Sequence, residues 1–235
     1  MRILLVAATT FEIRPFLNKL PFTGKQTEYV NRYQYHSHIV DVLIAGVGMV
    51  PTAFHLGRQL ALQHYDLAIN AGIAGTFNKS FPLGSVVNVV EDCVPELGAE
   101  DGEKFLSVFE LGLTDPDSLP YQGGKLINGP VPPSLSGIEG IIGKLPRVRS
   151  ITSNTVRGSV ESILRIQRIA AADIESMEGA AFFFACFSEK LPCLQIRSVS
   201  NLVEERDKSH WNLDLALKNL NKVLWKIATS HPEGD

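Results

Sequence analysis

The amino-acid sequence predicts an α/β fold, a largely buried β-sheet with helices packed over it. Three observations carry this expectation. Short, mostly apolar runs recur at Ile3 to Ala8, Val42 to Ala45, Asp66 to Ile69, Ser85 to Val90 and Cys193 to Val199, as strands covered on both faces require. Helical patterns separate several of them, including the apolar stretch from Gly179 to Phe187 and an amphipathic one from Trp211 to about Ala228. Glycine and other small residues follow strands, before a helix at Gly46-Val47-Gly48 and beside the sheet edge at Gly72-Ile73-Ala74-Gly75. A chain of 235 residues fits one such domain, 1–235, with room for a large core.

Composition narrows the function classes. Hydrophobic residues at 45% and charged residues at 20% are the balance of a soluble globular protein. The net charge of −3 leaves no basic footprint, so nucleic acid is not expected as a partner. Cys93, Cys186 and Cys193 are odd in number and lie mostly in apolar runs, so they read as reduced core residues, neither a disulfide frame nor a zinc site. No apolar run is long enough for a membrane span. The opening MRILLVAA is too short for a signal peptide and ends in TTFE, so a first strand and a cytoplasmic protein are expected.

The elements follow in order. Ile3 to Ala8 is a strand, Thr9 to Glu12 a turn, and a helix begins near Ile13 with Pro15 in its first turn. Glu28 to His36 and His38 to Ala45 form a hairpin. His36 and His38 share a strand face but lack a third ligand nearby, so they are expected in solvent and no metal is expected. Gly46 to Ala53 opens a helix running to about Gln63. Its glycines allow close backbone approach, but the third glycine and the distant acidic residue of a dinucleotide fingerprint are missing, so no cofactor is expected. A strand from Asp66 runs into Asn70 to Gly75. Ser85 to Val90 is a strand, and from Asp92 to about Gly143 the chain reads as loops, among them Leu97 to Gly102. Arg149 to Ser153 is a strand, and a helix begins near Ser159. Ser176 is expected to cap the next helix, with Glu178 in its first turn. Pro192 stops that helix, and the strand from Cys193 to Val199 is followed by Ser200 and Asn201.

In α/β sheets of this kind ligands sit beyond the carboxyl ends of the strands. Glu12, the backbone of Ile73, Ala74 and Gly75, Glu178 and Asn201 all fall at such ends. A carboxylate and a carboxamide there suit a sugar and a heterocycle. The competing reading is that Glu178 merely opens a helix and Asn201 merely caps a loop.

The motifs MRILLVAATTFE, AGVG, NAGIAG with PLGSVV, and SMEGAA paired with IRSVSN, in this order and spacing, make nearly the whole chain resemble the nucleoside phosphorylase and nucleosidase superfamily. Within it, AATTFEI, LGAEDG, SNTVRGS and IRSVSNLVEERD are most similar to the futalosine hydrolases, enzymes of menaquinone biosynthesis. The resemblance implies a three-layer α/β/α fold with a central mixed β-sheet. It also implies hydrolysis of an N-ribosidic bond, with a purine nucleoside and water as small-molecule partners and a homo-oligomer as the assembly. On it, Glu12 activates water and Met177 and Glu178 hold the ribose. Thr155 and Val156 line the base pocket, and Asn201 grips a 6-oxopurine such as hypoxanthine. Adenosine-type nucleosidases carry an aspartate where this chain has Asn201. A phosphorylase, a methylthioadenosine/adenosylhomocysteine nucleosidase and a non-catalytic nucleoside-binding protein are the alternatives. Arg157, Arg206, Lys208 and His210 are unranked candidates to meet the substrate's aromatic carboxylate.

Overall fold

Every second residue of the first strand packs on the opposite side of a sheet, and that alternation generates the layers. The computed structural model describes residues 1–230; the last five positions of the expected domain lie outside the described residues. In chain order the first half gives β1 (Arg2–Ala7), α1 (Thr10–Leu17), β2 (Phe22–Lys25), β3 (Val30–Tyr35), β4 (His38–Ile44), α2 (Met49–Leu62), β5 (Leu67–Thr76) and β6 (Val86–Cys93). Then come β7 (Gly98–Asp101), β8 (Lys104–Ser107), β9 (Leu126–Ile127), α3 (Ser136–Ile142), β10 (Arg147–Thr152), α4 (Val160–Ile169), β11 (Ile174–Ser176), α5 (Gly179–Ser188), β12 (Cys193–Leu202) and α6 (Leu213–Ala228).

Ile3, Leu5 and Ala7 of β1 join Ile69 of β5 and Ile196 of β12 against α1, α3 and α6, which supply Ile13, Phe16, Ile138, Leu220, Leu224 and Ile227. Leu4 and Val6 face the other way, toward Leu56 of α2 and Ala180, Phe182 and Phe183 of α5. Two apolar cores on the two faces of one sheet make the three-layer arrangement that the sequence predicts. Burying each of these large side chains contributes roughly 1.5–3 kcal/mol.

The sheet runs β11-β10-β6-β12-β5-β1-β4-β3-β2. It is mixed, because β5 is parallel to β1 and β12 whereas β12 is antiparallel to β6. A further antiparallel pairing of β11 with β5 closes β5, β12, β6, β10 and β11 on themselves. That closure brings β11 and β12 to opposite sides of β5, where the site forms.

Several expectations are corrected by these pairings. The strand does not end at Ile69: Asn70 to Gly75 form its second half, paired with β12 along their length and with β11 at Gly75. Ser200 and Asn201 likewise lie inside β12. Ser176 ends strand β11 and does not cap α5; the cap position belongs to Glu178, although the Ser176 hydroxyl accepts from Gly179 N at 3.3 Å. Leu97 to Gly102 is largely the β7 arm of a hairpin with β8. His38 is buried at 4% exposure, contrary to the solvent position expected, while His36 sits exposed in the turn at φ 49°.

Helix α1 starts at Thr10, earlier than expected, because Glu12 folds back onto its start: Glu12 Oε2 accepts from Thr9 N at 3.0 Å and from the Thr9 hydroxyl at 3.1 Å. Pro15 lies inside this helix and has no N–H to give. At the next residue the side chain of Asn221 from α6 meets the backbone of this helix. Its Oδ1 accepts from Phe16 N at 2.9 Å and its Nδ2 donates to Glu12 O at 2.8 Å. A buried carboxamide thus holds the backbone that carries Glu12. Asn221→Leu is expected to strand both groups and lower stability by about 2–4 kcal/mol, read as a fall in the urea midpoint at unchanged m-value. A loss below about 0.5 kcal/mol would deny Asn221 this role.

Candidate functional site

The strand ends and helix starts named above enclose a cavity of about 350 Å³. All nine residues singled out from the sequence line it: Glu12, Ile73, Ala74, Gly75, Thr155, Val156, Met177, Glu178 and Asn201. Glu175, Ser153, Ser200, Trp211 and Leu213, which the sequence reading did not single out, line it too. Its walls hold three carboxylates, Glu12, Glu175 and Glu178, and no Lys, Arg or His side chain among the described residues.

Glu12 reaches the cavity from the first turn of α1. Its Oε1 accepts from Ile73 N at 3.3 Å, while Oε2 is held by Thr9. Burial pushes its carboxyl above the usual 4.5; Arg197 opposes the rise and Glu178 adds to it. Glu178 enters from the start of α5. Its Oε1 accepts from Gly48 N at 3.1 Å, and its Oε2 lies 3.6 Å from Arg197 Nη1. The glycine loop that opens α2 therefore uses its close approach to hold Glu178, and Gly46 and Gly48 need φ of 91° and 96° to do so.

Arg197 is the functional residue that sequence reasoning missed. It projects from the middle of β12, 1% exposed, beneath both carboxylates. Nη2 donates to Asn70 Oδ1 and, at 3.2 Å, to Gln195 Oε1. Gln195 Nε2 in turn donates to Asp92 Oδ2 at 2.9 Å, and Thr152 Oγ1 donates to Asp92 Oδ1 at 2.9 Å while accepting from Ala180 N at 2.7 Å. Burial pushes the fully enclosed Asp92 carboxyl up to about 6 against the pull of these donors. Two glycines make room for the network. A Cβ at Gly72 would sit 2.3 Å from Arg197 Nη1 and 2.8 Å from Glu12 Oε1, and one at Gly179 would sit 1.9 Å from Gln195 Oε1. The available signal in the sequence was a charge inside an otherwise apolar strand, since a buried arginine has to be paired.

Asn201 faces the cavity from near the end of β12. Its Nδ2 donates to Leu202 O at 2.8 Å, and because a backbone carbonyl only accepts, this bond sets which way the carboxamide points. Its Oδ1 accepts from the Ser200 hydroxyl at 2.8 Å. One N–H and one lone pair of the amide remain for a ligand, an arrangement that can face a donor and an acceptor side by side. Met177, Val156 and Ile73 supply apolar walls.

None of the cations nominated for a substrate carboxylate lines this cavity. Arg157 is buried and bound to Glu96, with Glu175 Oε2 3.5 Å from its Nη1. His210 Nδ1 is 2.8 Å from Glu204 Oε1, and these contacts raise the imidazole's affinity for its proton. No group of acidic, histidine or cysteine side chains among the described residues is arranged to hold a metal. No described helix is long and apolar enough to cross a membrane.

Comparison with known proteins gives the same outline. The family model described as "Phosphorylase superfamily" matches residues 2–229. Futalosine hydrolase of Streptomyces coelicolor is 32% identical over 194 residues, covering 80% of this chain and 78% of that one. A 5'-methylthioadenosine/S-adenosylhomocysteine nucleosidase of Maridesulfovibrio salexigens is 25% identical over 217 residues, covering 89% of each. The solved futalosine hydrolase of Helicobacter pylori superposes with a TM-score of 0.79 at 16% identity over 97% of both chains.

Arg197→Gln tests the electrostatic centre. Without the guanidinium, Glu12 and Glu178 face each other with no cation, so the Glu12 carboxyl should protonate at higher pH, followed by carboxyl NMR titration. Stability should fall by about 3–5 kcal/mol, as it does when one partner of a buried ion pair is removed. An unmoved Glu12 titration would refute the coupling.

Proposed function

The chain belongs to the phosphorylase superfamily, and from that premise we propose that it is a nucleosidase that hydrolyses the N-ribosidic bond of futalosine and releases hypoxanthine. The observation that carries this reading is one cavity in which a buried carboxylate, a second carboxylate with a thioether beside it, and an oriented carboxamide converge. These supply the three things the reaction needs: a base for water, a grip on the sugar, and a partner for the departing purine.

In the proposed reaction the oxygen of water attacks C1′ of the ribose as the bond to N9 breaks. The ribose passes through oxocarbenium character and the bonding electrons leave with the purine. Glu12 takes the proton that water loses, and its raised affinity for protons brings it toward the range where a general base works at neutral pH. Glu178 accepts from the ribose hydroxyls, and Met177 packs on the sugar. A solvent proton reaches N7, the free lone pair of Asn201 Oδ1 accepts that N7–H, and the free N–H of Nδ2 donates to O6.

Water is favoured over phosphate by the charge of the walls. A phosphorylase has to hold an anion at the sugar, and here the lining offers carboxylates and no cation. Arg197 lies below the cavity with its charge committed to Glu178 and its Nη2 to Asn70 and Gln195. Asn201 favours a 6-oxopurine over adenine: with one N–H of Nδ2 on the Leu202 carbonyl, the other can donate to O6, where adenine instead carries an amino donor. Exposed Val50 and Phe54 of α2, 77% and 62% accessible, follow Val47 of the preceding loop at the cavity rim, and they support the homo-oligomer that the sequence led us to expect.

Three outcomes test this function. Hypoxanthine should be released from futalosine at the same rate with and without inorganic phosphate; phosphate dependence with ribose 1-phosphate formation would overturn the hydrolase reading. Glu12→Gln should lower kcat by about 10²- to 10⁴-fold while KM stays within a few-fold. Because Glu12 must be ionised to act and burial raises its pKa, wild-type kcat/KM should fall as pH drops through a midpoint above 4.5. A midpoint below that value would remove Glu12 from the role of base.

A further inference from the structure

Asp92 of β6 is a fully buried carboxylate that the proposed reaction does not use. Two side chains donate to it: Gln195 Nε2 to Oδ2 at 2.9 Å and the Thr152 hydroxyl to Oδ1 at 2.9 Å. Each donor also accepts a bond at its other end. Gln195 Oε1 accepts from Arg197 Nη2 at 3.2 Å, and Thr152 Oγ1 accepts from Ala180 N at 2.7 Å. All these donors point inward, a direction that only a group accepting at both oxygens can sustain.

The two arms that start at Asp92 lead to one residue. One passes through Gln195 to Arg197, whose Nη1 lies 3.6 Å from Glu178 Oε2. The other passes through Thr152 to Ala180, in the first turn of the helix that Glu178 caps. The first residue of that helix stands directly against the carboxylate, since a Cβ at Gly179 would lie 2.3 Å from Asp92 Oδ2. Asp92 thus reaches the cation beside the Glu178 side chain and the backbone that carries it.

Resting on the reading of Glu178 as the group that holds the ribose, we propose that Asp92 is a positioning residue for the sugar site. Its charge makes Gln195 present a carbonyl oxygen to Arg197 and Thr152 present a lone pair to Ala180. The guanidinium and the start of α5 therefore stay where Glu178 needs them. A hydrophobic residue in this place would avoid the cost of burying a charge, but it could not set the direction of either arm. With a neutral amide at position 92 one donor loses its acceptor. If Gln195 turns in response, its NH₂ faces the Arg197 guanidinium, donor against donor. If Thr152 turns instead, its hydroxyl proton is left buried without a partner.

The test is calorimetric titration at pH 8, above the value of about 6 to which burial pushes the Asp92 carboxyl. The probes are free hypoxanthine and 9-deazainosine, a nucleoside whose carbon–carbon link to the sugar cannot be hydrolysed. Asp92→Asn should weaken the nucleoside at least about tenfold, the typical worth of a hydrogen bond to a charged group, and leave hypoxanthine within about twofold. The exchange of Asp92→Asn with Gln195→Glu moves the carboxylate one link along the chain. The amide at 92 then accepts from Thr152 and donates to the carboxylate at 195, which accepts from Arg197, so nucleoside affinity should return to within about threefold of wild type. Asp92→Asn binding the nucleoside like wild type overturns the proposal. Loss of nucleoside and base alike also overturns it, because a general loosening of the fold would be the cause. So does an exchange that fails to fold or stays as weak as the single variant; if Asp92→Asn alone does not fold, the exchange decides. Binding is independent of turnover: affinities that rank as expected in a protein inert toward futalosine uphold Asp92 and remove the hydrolase reading. Futalosine turnover beside an Asp92→Asn that binds like wild type does the opposite.

Discussion

A single guanidinium, that of Arg197, is taken wholly out of water in the middle of the sheet, and much of the site is arranged around the consequence. Removing such a charge from water costs several kcal/mol unless oppositely charged and hydrogen-bonding groups surround it. Here they are Glu178, Asn70 and Gln195, with Glu12 close enough to feel its field. Gln195 is itself tied to Asp92, and Asp92 through Thr152 to the N–H of Ala180 in the first turn of α5. The cavity carboxylates Glu12 and Glu178 thereby adjoin a network reaching across β5, β6, β10 and β12. Gly72 and Gly179 are small because this network occupies the space their side chains would need.

The same economy of placement holds Glu12 from the other side. Its carboxylate is gripped by Thr9 and Ile73, and its backbone carbonyl by Asn221 from the last helix. A proline inside α1 and an asparagine more than two hundred residues later look unrelated along the chain. In space they meet at the turn of α1 that carries Glu12, where the asparagine side chain holds Phe16 N and Glu12 O.

Much of this was legible in the residues. The apolar runs marked most of the strands, and Glu12, Ile73 to Gly75, Thr155, Val156, Met177, Glu178 and Asn201 do share one cavity. What was misjudged shares one cause, the neighbours of each segment. Read from the residues, the strand from Asp66 ends at Ile69 because the glycines and alanines that follow are poor strand formers alone, yet Asn70 to Gly75 are extended because β12 pairs along them and β11 joins at Gly75. Ser176 resembles a helix cap, but pairing with β10 and β5 draws it into a strand. His38, expected in solvent, is buried at the start of β4, opposite Tyr35 of β3.

By itself the sequence determined the fold class, the order of most elements and nine residues that share one cavity, because hydrophobic periodicity and local turn preferences act over a few residues. It could not determine the closing of β11 onto β5, which brings Glu175 to the cavity, nor the burial of Arg197 between two carboxylates. Nor could it determine the bridge from Asn221 to Glu12. Each of these is a contact between groups far apart in the chain, and only the folded packing decides which distant charge or amide each buried group will face.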